Sequence, residues 1–113
     1  MSAVTTHVLD TVRGAPASGV VVRLERAGDA DLELGRGTTN ADGRVSDFGV
    51  ASLSAGTYRL VFETGAYLEG ADGAAGPAFF PEVVVTFAAD GLRPRHHVPL
   101  LLSPYSYSTY RGS

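Results

Sequence analysis

The sequence predicts an all-β fold, and three observations carry that prediction. Apolar residues recur with a period of about two more often than about 3.6, as pleated strands require and helices do not. Gly and Pro interrupt the pattern at short intervals, which favours many short strands joined by tight turns. At 113 residues, 44% hydrophobic and 19% charged, the chain has enough apolar surface for one core and too little charge for a disordered tail. A single domain over residues 1–113 is therefore expected.

The elements follow in order. Val4 to Leu9 reads as a strand in which Thr5, His7 and Leu9 share one face. Arg13-Gly14-Ala15-Pro16 is a turn. After Gly19, Val20, Val22 and Leu24 alternate with Val21, Arg23 and Glu25, a half-buried strand. The turns Asn40-Ala41-Asp42-Gly43 and Ser54-Ala55-Gly56 precede a second such strand, Tyr58, Leu60 and Phe62 against Arg59, Val61 and Glu63. From Gly65 to Gly76 the alternation breaks, and Ala66-Tyr67-Leu68-Glu69 predicts one short helix that a Gly-rich segment ends. Val83, Val85 and Phe87 against Val84 and Thr86 form a third core strand before the turn Ala89-Asp90-Gly91. The stretch from Arg95 to Arg111 reads as two strands. Pro99 and Pro104 lack amide protons and are expected at edges or junctions.

Composition excludes several function classes. A net charge of -3 without a basic stripe argues against a nucleic-acid partner, which would require clustered Lys and Arg against phosphates. With no Cys there is no disulfide scaffold, thiolate nucleophile or sulfur-ligated zinc. The start MSAVTTHVLD lacks the basic and apolar regions of a secretory signal, and no apolar run approaches the roughly 20 residues of a spanning helix. A soluble cytosolic protein without a membrane partner is expected.

The chemistry-bearing candidates are few. Histidine is the side chain whose unperturbed pKa suits proton transfer near neutrality, so a general base is sought among the three present, His7, His96 and His97. A strand histidine such as His7 is more commonly a partly exposed structural residue. His96 and His97 are adjacent on a strand, so their side chains leave opposite faces and at most one looks into a given site. That spacing is a poor metal signature, leaving carboxylates such as Asp10 to complete any ligand set. Arg44 follows a tight turn, where a solvated arginine is the commoner case. Its planar fork would nevertheless suit a carboxylate or a paired carbonyl edge. The ending Tyr105 to Ser113 is aromatic and hydroxyl-rich and follows the apolar Val98 to Leu102, so it is expected to be docked. No G-x-S-x-G elbow surrounds Ser113, which favours activated water over a serine nucleophile.

The segments Thr6-His7-Val8-Leu9-Asp10, Thr39-Asn40-Ala41-Asp42-Gly43-Arg44, Phe79-Phe80-Pro81-Glu82-Val83 and His97-Val98-Pro99-Leu100-Leu101-Leu102-Ser103-Pro104, with the ending Tyr107-Ser108-Thr109-Tyr110-Arg111-Gly112-Ser113, closely resemble the 5-hydroxyisourate hydrolases, or transthyretin-related proteins. The resemblance spans nearly the whole chain. Tyr-Arg-Gly-Ser at its end is the most discriminating part, because transthyretin shares the sandwich but lacks that ending.

The resemblance implies a transthyretin-like sandwich of two four-stranded sheets with one short helix, assembled as a homotetramer with sites where dimers meet. It implies hydrolysis of 5-hydroxyisourate to 2-oxo-4-hydroxy-4-carboxy-5-ureidoimidazoline in urate (purine) degradation, with no cofactor and no metal. Carried over, His7, Arg44, His97 and Ser113 fall on catalytic positions, and His7, Arg44, Tyr110, Arg111 and Gly112 on substrate-binding ones. Either His7 or His97 takes the water proton, and Ser113 helps through its hydroxyl or a terminal carboxylate. Many members read His-Tyr-His before Val-Pro, whereas this chain reads Arg95-His96-His97, so Arg95 replaces the first histidine. A transthyretin-like small-molecule carrier is the alternative, disfavoured by the titratable His7, Arg44 and His97 where an apolar pocket would be wanted. A non-catalytic β-sandwich module is the third reading.

Overall fold

The computed structural model describes residues 3–28, 32–70 and 77–113. Its strands are β1 (Val4–Asp10), β2 (Ala15–Pro16), β3 (Val21–Arg26), β4 (Leu32–Thr38), β5 (Arg44–Val45), β6 (Gly56–Phe62), β7 (Val83–Ala89), β8 (His96–Leu102) and β9 (Tyr107–Thr109), with the helix α1 (Thr64–Glu69) between β6 and β7. One sheet runs β4-β3-β6-β7 and the other β2-β1-β8-β9, with the two-residue β5 also paired to β1. The expected pair of four-stranded sheets is thus present, the second enlarged by a fifth, very short strand. The described residues include no helix long and apolar enough to cross a membrane.

Alternation decides what lies inside. In β1, Val4, Thr6, Val8 and Asp10 are buried, while Thr5, His7 and Leu9 on the other face keep partial exposure. Val4, Val8, Leu100 and Leu102 meet Val22, Leu24, Leu60 and Phe62 of the opposite sheet, all essentially inaccessible to water. Each such side chain contributes roughly 1.5–3 kcal/mol by leaving water. Tyr58 is buried with its hydroxyl donating to the Ser54 carbonyl at 2.8 Å, so its polar tip is satisfied. Val61, on the face of β6 read as solvent-facing, is buried as well. Val85 and Phe87 are only partly buried, because β7 is a sheet edge.

The helix begins two residues earlier than the sequence suggests. The Thr64 hydroxyl donates to the Phe80 carbonyl at 2.7 Å, and the Gly65 amide donates to Pro81 at 2.8 Å, which ties its first turn to the segment before β7. The Gly-rich segment expected to end it lies mostly outside the described residues. β4 was not anticipated, since Gly35 and Gly37 erase its apolar alternation.

Pro99 corrects an expectation. It lies buried in the middle of β8, a strand flanked by β1 and β9, rather than at an edge. The pairs Leu100↔Thr109 and His97↔Gly112 keep one antiparallel register, and continuing it puts Tyr110 opposite Pro99. There the ladder is interrupted, as a residue without N–H requires, and the Thr109 hydroxyl donates to the Pro99 carbonyl at 2.6 Å instead. An inner strand accommodates proline by breaking its pairing with the tail rather than with β1, where the parallel ladder runs unbroken from Val4↔His96 to Asp10↔Leu102.

Candidate active site

The parallel pairing of β1 with β8 brings the separate histidines together. Thr5 is opposite His97, and His7 is opposite Pro99, so His7 and His97 lie on one face of the sheet, away from the core. His96 leaves the inner face, is 7% exposed, and sets its ring 5.9 Å from that of Phe87 at a tilt of 38°. The two adjacent histidines therefore serve different surroundings.

Arg44 reaches the same outer face through turn chemistry. The Asn40 side-chain oxygen accepts the amides of Asp42 at 2.9 Å and Arg44 at 3.0 Å, closing the turn. Gly43 supplies the φ of +74° the turn needs, and its carbonyl accepts the Val8 amide at 2.7 Å. These bonds dock β5 on β1 in the register Thr6↔Val45 and His7↔Arg44. Val45 points into the core, so its neighbour Arg44 must point out, beside His7.

The tail completes the arrangement. The Gly112 amide donates to the His97 carbonyl at 2.8 Å, forming a bridge that sets Ser113 beside the imidazole's strand. A cleft of about 560 Å³ results, with Thr5, Arg44, Ser46, Arg95, His97 and Ser113 in its lining. His7 is not in that lining but flanks it through its pairing with Arg44. Tyr110, 59% exposed, and Arg111 line a smaller, mainly apolar pocket of about 240 Å³ with Phe87 and His96, and His97 borders both spaces. Within one chain, His97, Arg44, Gly112 and Ser113 are thus gathered in one cleft, His7 adjoins it, and Tyr110 and Arg111 lie around the corner. Thr5 and Ser46 were not singled out from the sequence. For Thr5 the signal was there: it is two residues from His7 on the same strand face.

Electrostatics favour a neutral His97. Burial, then the nearby Arg44 guanidinium, then His7 push its pKa below the ordinary 6.5, while a hydrogen bond with the Thr5 backbone works in the opposite direction. His97 Nδ1 lies 2.8 Å from the Thr5 hydroxyl. That contact pins the ring, and when Nδ1 is the protonated donor it leaves the Nε2 lone pair available. Such an imidazole is a proton acceptor at neutral pH, beside a guanidinium able to hold a planar pair of oxygens. Among the described residues no group of three His, Asp or Glu converges as a metal site would need.

Several known proteins are similar to this chain over nearly its whole length. A 5-hydroxyisourate hydrolase from Deinococcus radiodurans is 46% identical over 112 residues, covering 96% of this chain and 94% of that one. The solved 5-hydroxyisourate hydrolase of Klebsiella pneumoniae superposes with a TM-score of 0.83 at 40% identity, each chain covered in full (100%). Transthyretin from Sparus aurata superposes with a TM-score of 0.88 at 28% identity, covering 99% of this chain and 97% of that one. The profile of the HIUase/Transthyretin family matches residues 4–112, and the chain belongs to that family.

Proposed function

We propose that this protein hydrolyses 5-hydroxyisourate, opening its ring to 2-oxo-4-hydroxy-4-carboxy-5-ureidoimidazoline in urate degradation. The observation that carries the reading is His97, its pKa lowered by burial and by Arg44, in one cleft with that guanidinium and with Ser113. A carrier for apolar ligands has no use for such a group. The enzymes similar to this chain at 46% and 40% identity over nearly its full length bear the same activity in their names.

The substrate carbonyl is already activated by neighbouring nitrogens, so the protein has to position it, deprotonate water and stabilise the oxyanion. His97 takes the water proton through Nε2, with Thr5 fixing the ring. Arg44 holds the planar substrate through paired hydrogen bonds. His7, beside Arg44, delivers a proton to the departing ring nitrogen, and Ser113 orders the attacking water. No cofactor enters this chemistry. Gly112 bounds the substrate beside His97, and Tyr110 and Arg111 reach it from the adjoining pocket.

The working form in this reading is a homotetramer. β7 and β9 each leave one edge unpaired among the described residues, and Phe79 and Tyr105 stand 69% and 79% exposed. A subunit contact would cover them, steady the tail and exclude water from the cleft. Size-exclusion chromatography with light scattering tests this, and an active monomer would contradict it. Cell fractionation tests the cytosolic residence that accompanies the reading. For the activity itself, 5-hydroxyisourate is generated in place by urate oxidase. Its ultraviolet absorbance should decay faster when this protein is added, and an unchanged decay would exclude hydrolysis.

A further inference from the structure

Arg95 precedes β8 by one residue and lies two residues from His97, on the same side of the strand. It lines the cleft that holds Arg44, His97 and Ser113. Two guanidiniums and one imidazole thus border a space whose lining contains no Asp or Glu side chain, and among the described residues no ion pair joins either guanidinium to the terminal Ser113 beside them. Among the described residues no hydrogen bond or ion pair engages the Arg95 guanidinium, whereas Arg23 and Arg36 are each paired with glutamates. A second, uncommitted cation at a site that already has one calls for a ligand with a second anionic group.

The proposed reaction creates such a group. Water oxygen joins the ring carbonyl carbon, the carbon–nitrogen bond breaks, and the nitrogen takes a proton to become the terminal amide of a ureido group. The former carbonyl carbon is left as a carboxylic acid that ionises to solvent. A carboxylate therefore appears where the substrate had a neutral carbonyl.

We propose that Arg95 is a further substrate-binding residue of this cleft, one that grips the carboxylate end of the opened ring while Arg44 holds the heterocycle. The inference rests on the hydrolase reading and adds to it the chemical class of the second subsite, a small carboxylate. Guanidinium and carboxylate pair through two parallel hydrogen bonds, a geometry an ammonium does not reproduce. The charge also grows as the carbonyl carbon becomes tetrahedral and, once the ring nitrogen has departed, a carboxylate, so Arg95 favours the opened form over the closed one.

The probe is N-carbamoylglycine, a stable molecule with a ureido group and a carboxylate, compared with its uncharged amide. Both are titrated as competitive inhibitors of 5-hydroxyisourate turnover by the wild-type protein, Arg95→Gln and Arg95→Lys, with kcat, KM and thermal midpoint recorded for each. Arg95 is exposed, so both variants should fold. The carboxylate should inhibit the wild type more strongly than the amide. Its inhibition constant should rise about tenfold in Arg95→Gln and partly recover in Arg95→Lys, with the amide's unchanged and kcat/KM for 5-hydroxyisourate lowered in parallel. Wild-type turnover with the same carboxylate inhibition in Arg95→Gln would overturn this inference alone. Absence of wild-type turnover would overturn the hydrolase reading, and this inference with it.

Discussion

Gly112 lies so close against the His97 imidazole that a Cβ placed on it would come within 3.1 Å of His97 Cγ and closer still to Cδ2. The contact is side chain against bare backbone, with the Gly112 amide bonded to the carbonyl of that same histidine at 2.8 Å. Tail and ring are positioned by each other. Gly112→Ala should turn the ring or lift Ser113 away, and a shift of about 1 Å in a catalytic group can cost about a hundredfold. The expected result is a fall in kcat/KM of that order with little change in thermal midpoint; activity within twofold of wild type would show that the contact is incidental.

His97 should set the pH profile of turnover. Its pKa lies below 6.5 because burial and the Arg44 charge disfavour the imidazolium. The neutral, proton-accepting form therefore persists as the medium is acidified past 6.5, and the acid limb of kcat/KM should have its midpoint below that value. In Arg44→Gln the positive neighbour is gone, so the limb should move upward. His97→Ala should lower turnover by roughly a hundred- to ten-thousand-fold. A limb that stays put in the Arg44 variant would remove this electrostatic coupling.

The Asn40 turn aims Arg44, through two amide bonds to one side-chain oxygen at 2.9 and 3.0 Å. Asn40→Ala removes that shared acceptor while leaving the guanidinium in the sequence. Steady-state kinetics should show KM raised about five- to tenfold, matching the loss of about 1 kcal/mol of positioning, with kcat less affected. Arg44→Lys should do more damage, since an ammonium cannot form the fork. Equal kinetics for Asn40→Ala and wild type would mean the turn only closes a loop.

Stability offers an independent check at the other end of β1. Buried Asp10 would be expected to have a raised pKa, yet bonds from the Tyr67 hydroxyl at 2.6 Å and from the Arg13 and Val12 amides outweigh burial and bring it below the usual 3.8. A carboxyl lowered on folding adds stability that is fully present above 3.8 and disappears as pH falls through the folded-state value. Tyr67→Phe should cost roughly 1–3 kcal/mol in denaturant unfolding at neutral pH, because it takes a donor from a buried carboxylate. The difference from wild type should shrink once Asp10 is protonated. A constant difference down to pH of about 2 would assign the loss to packing instead.

Local pattern alone determined much of this protein. Alternation at Val20 to Glu25, Tyr58 to Glu63 and Val83 to Phe87 was enough to name three core strands, because a pleated strand buries every second residue wherever it packs. The opposite fates of His96 and His97 followed from the same geometry, whereas His7, Arg44 and His97 were singled out together only by the resemblance to 5-hydroxyisourate hydrolases. What pattern could not supply was register. Only the parallel pairing of β1 with β8 puts Thr5 against His97, about ninety residues along the chain. Only the docking of β5 sets Arg44 opposite His7. Pro99 was misplaced for the same reason: whether a missing amide proton matters depends on which neighbour strand it faces, and β9 had not yet been placed there. Contacts distant in sequence are chosen by the burial of a whole sheet face, a quantity that belongs to no single segment, so the cleft and its neutral imidazole came into view only with the tertiary structure.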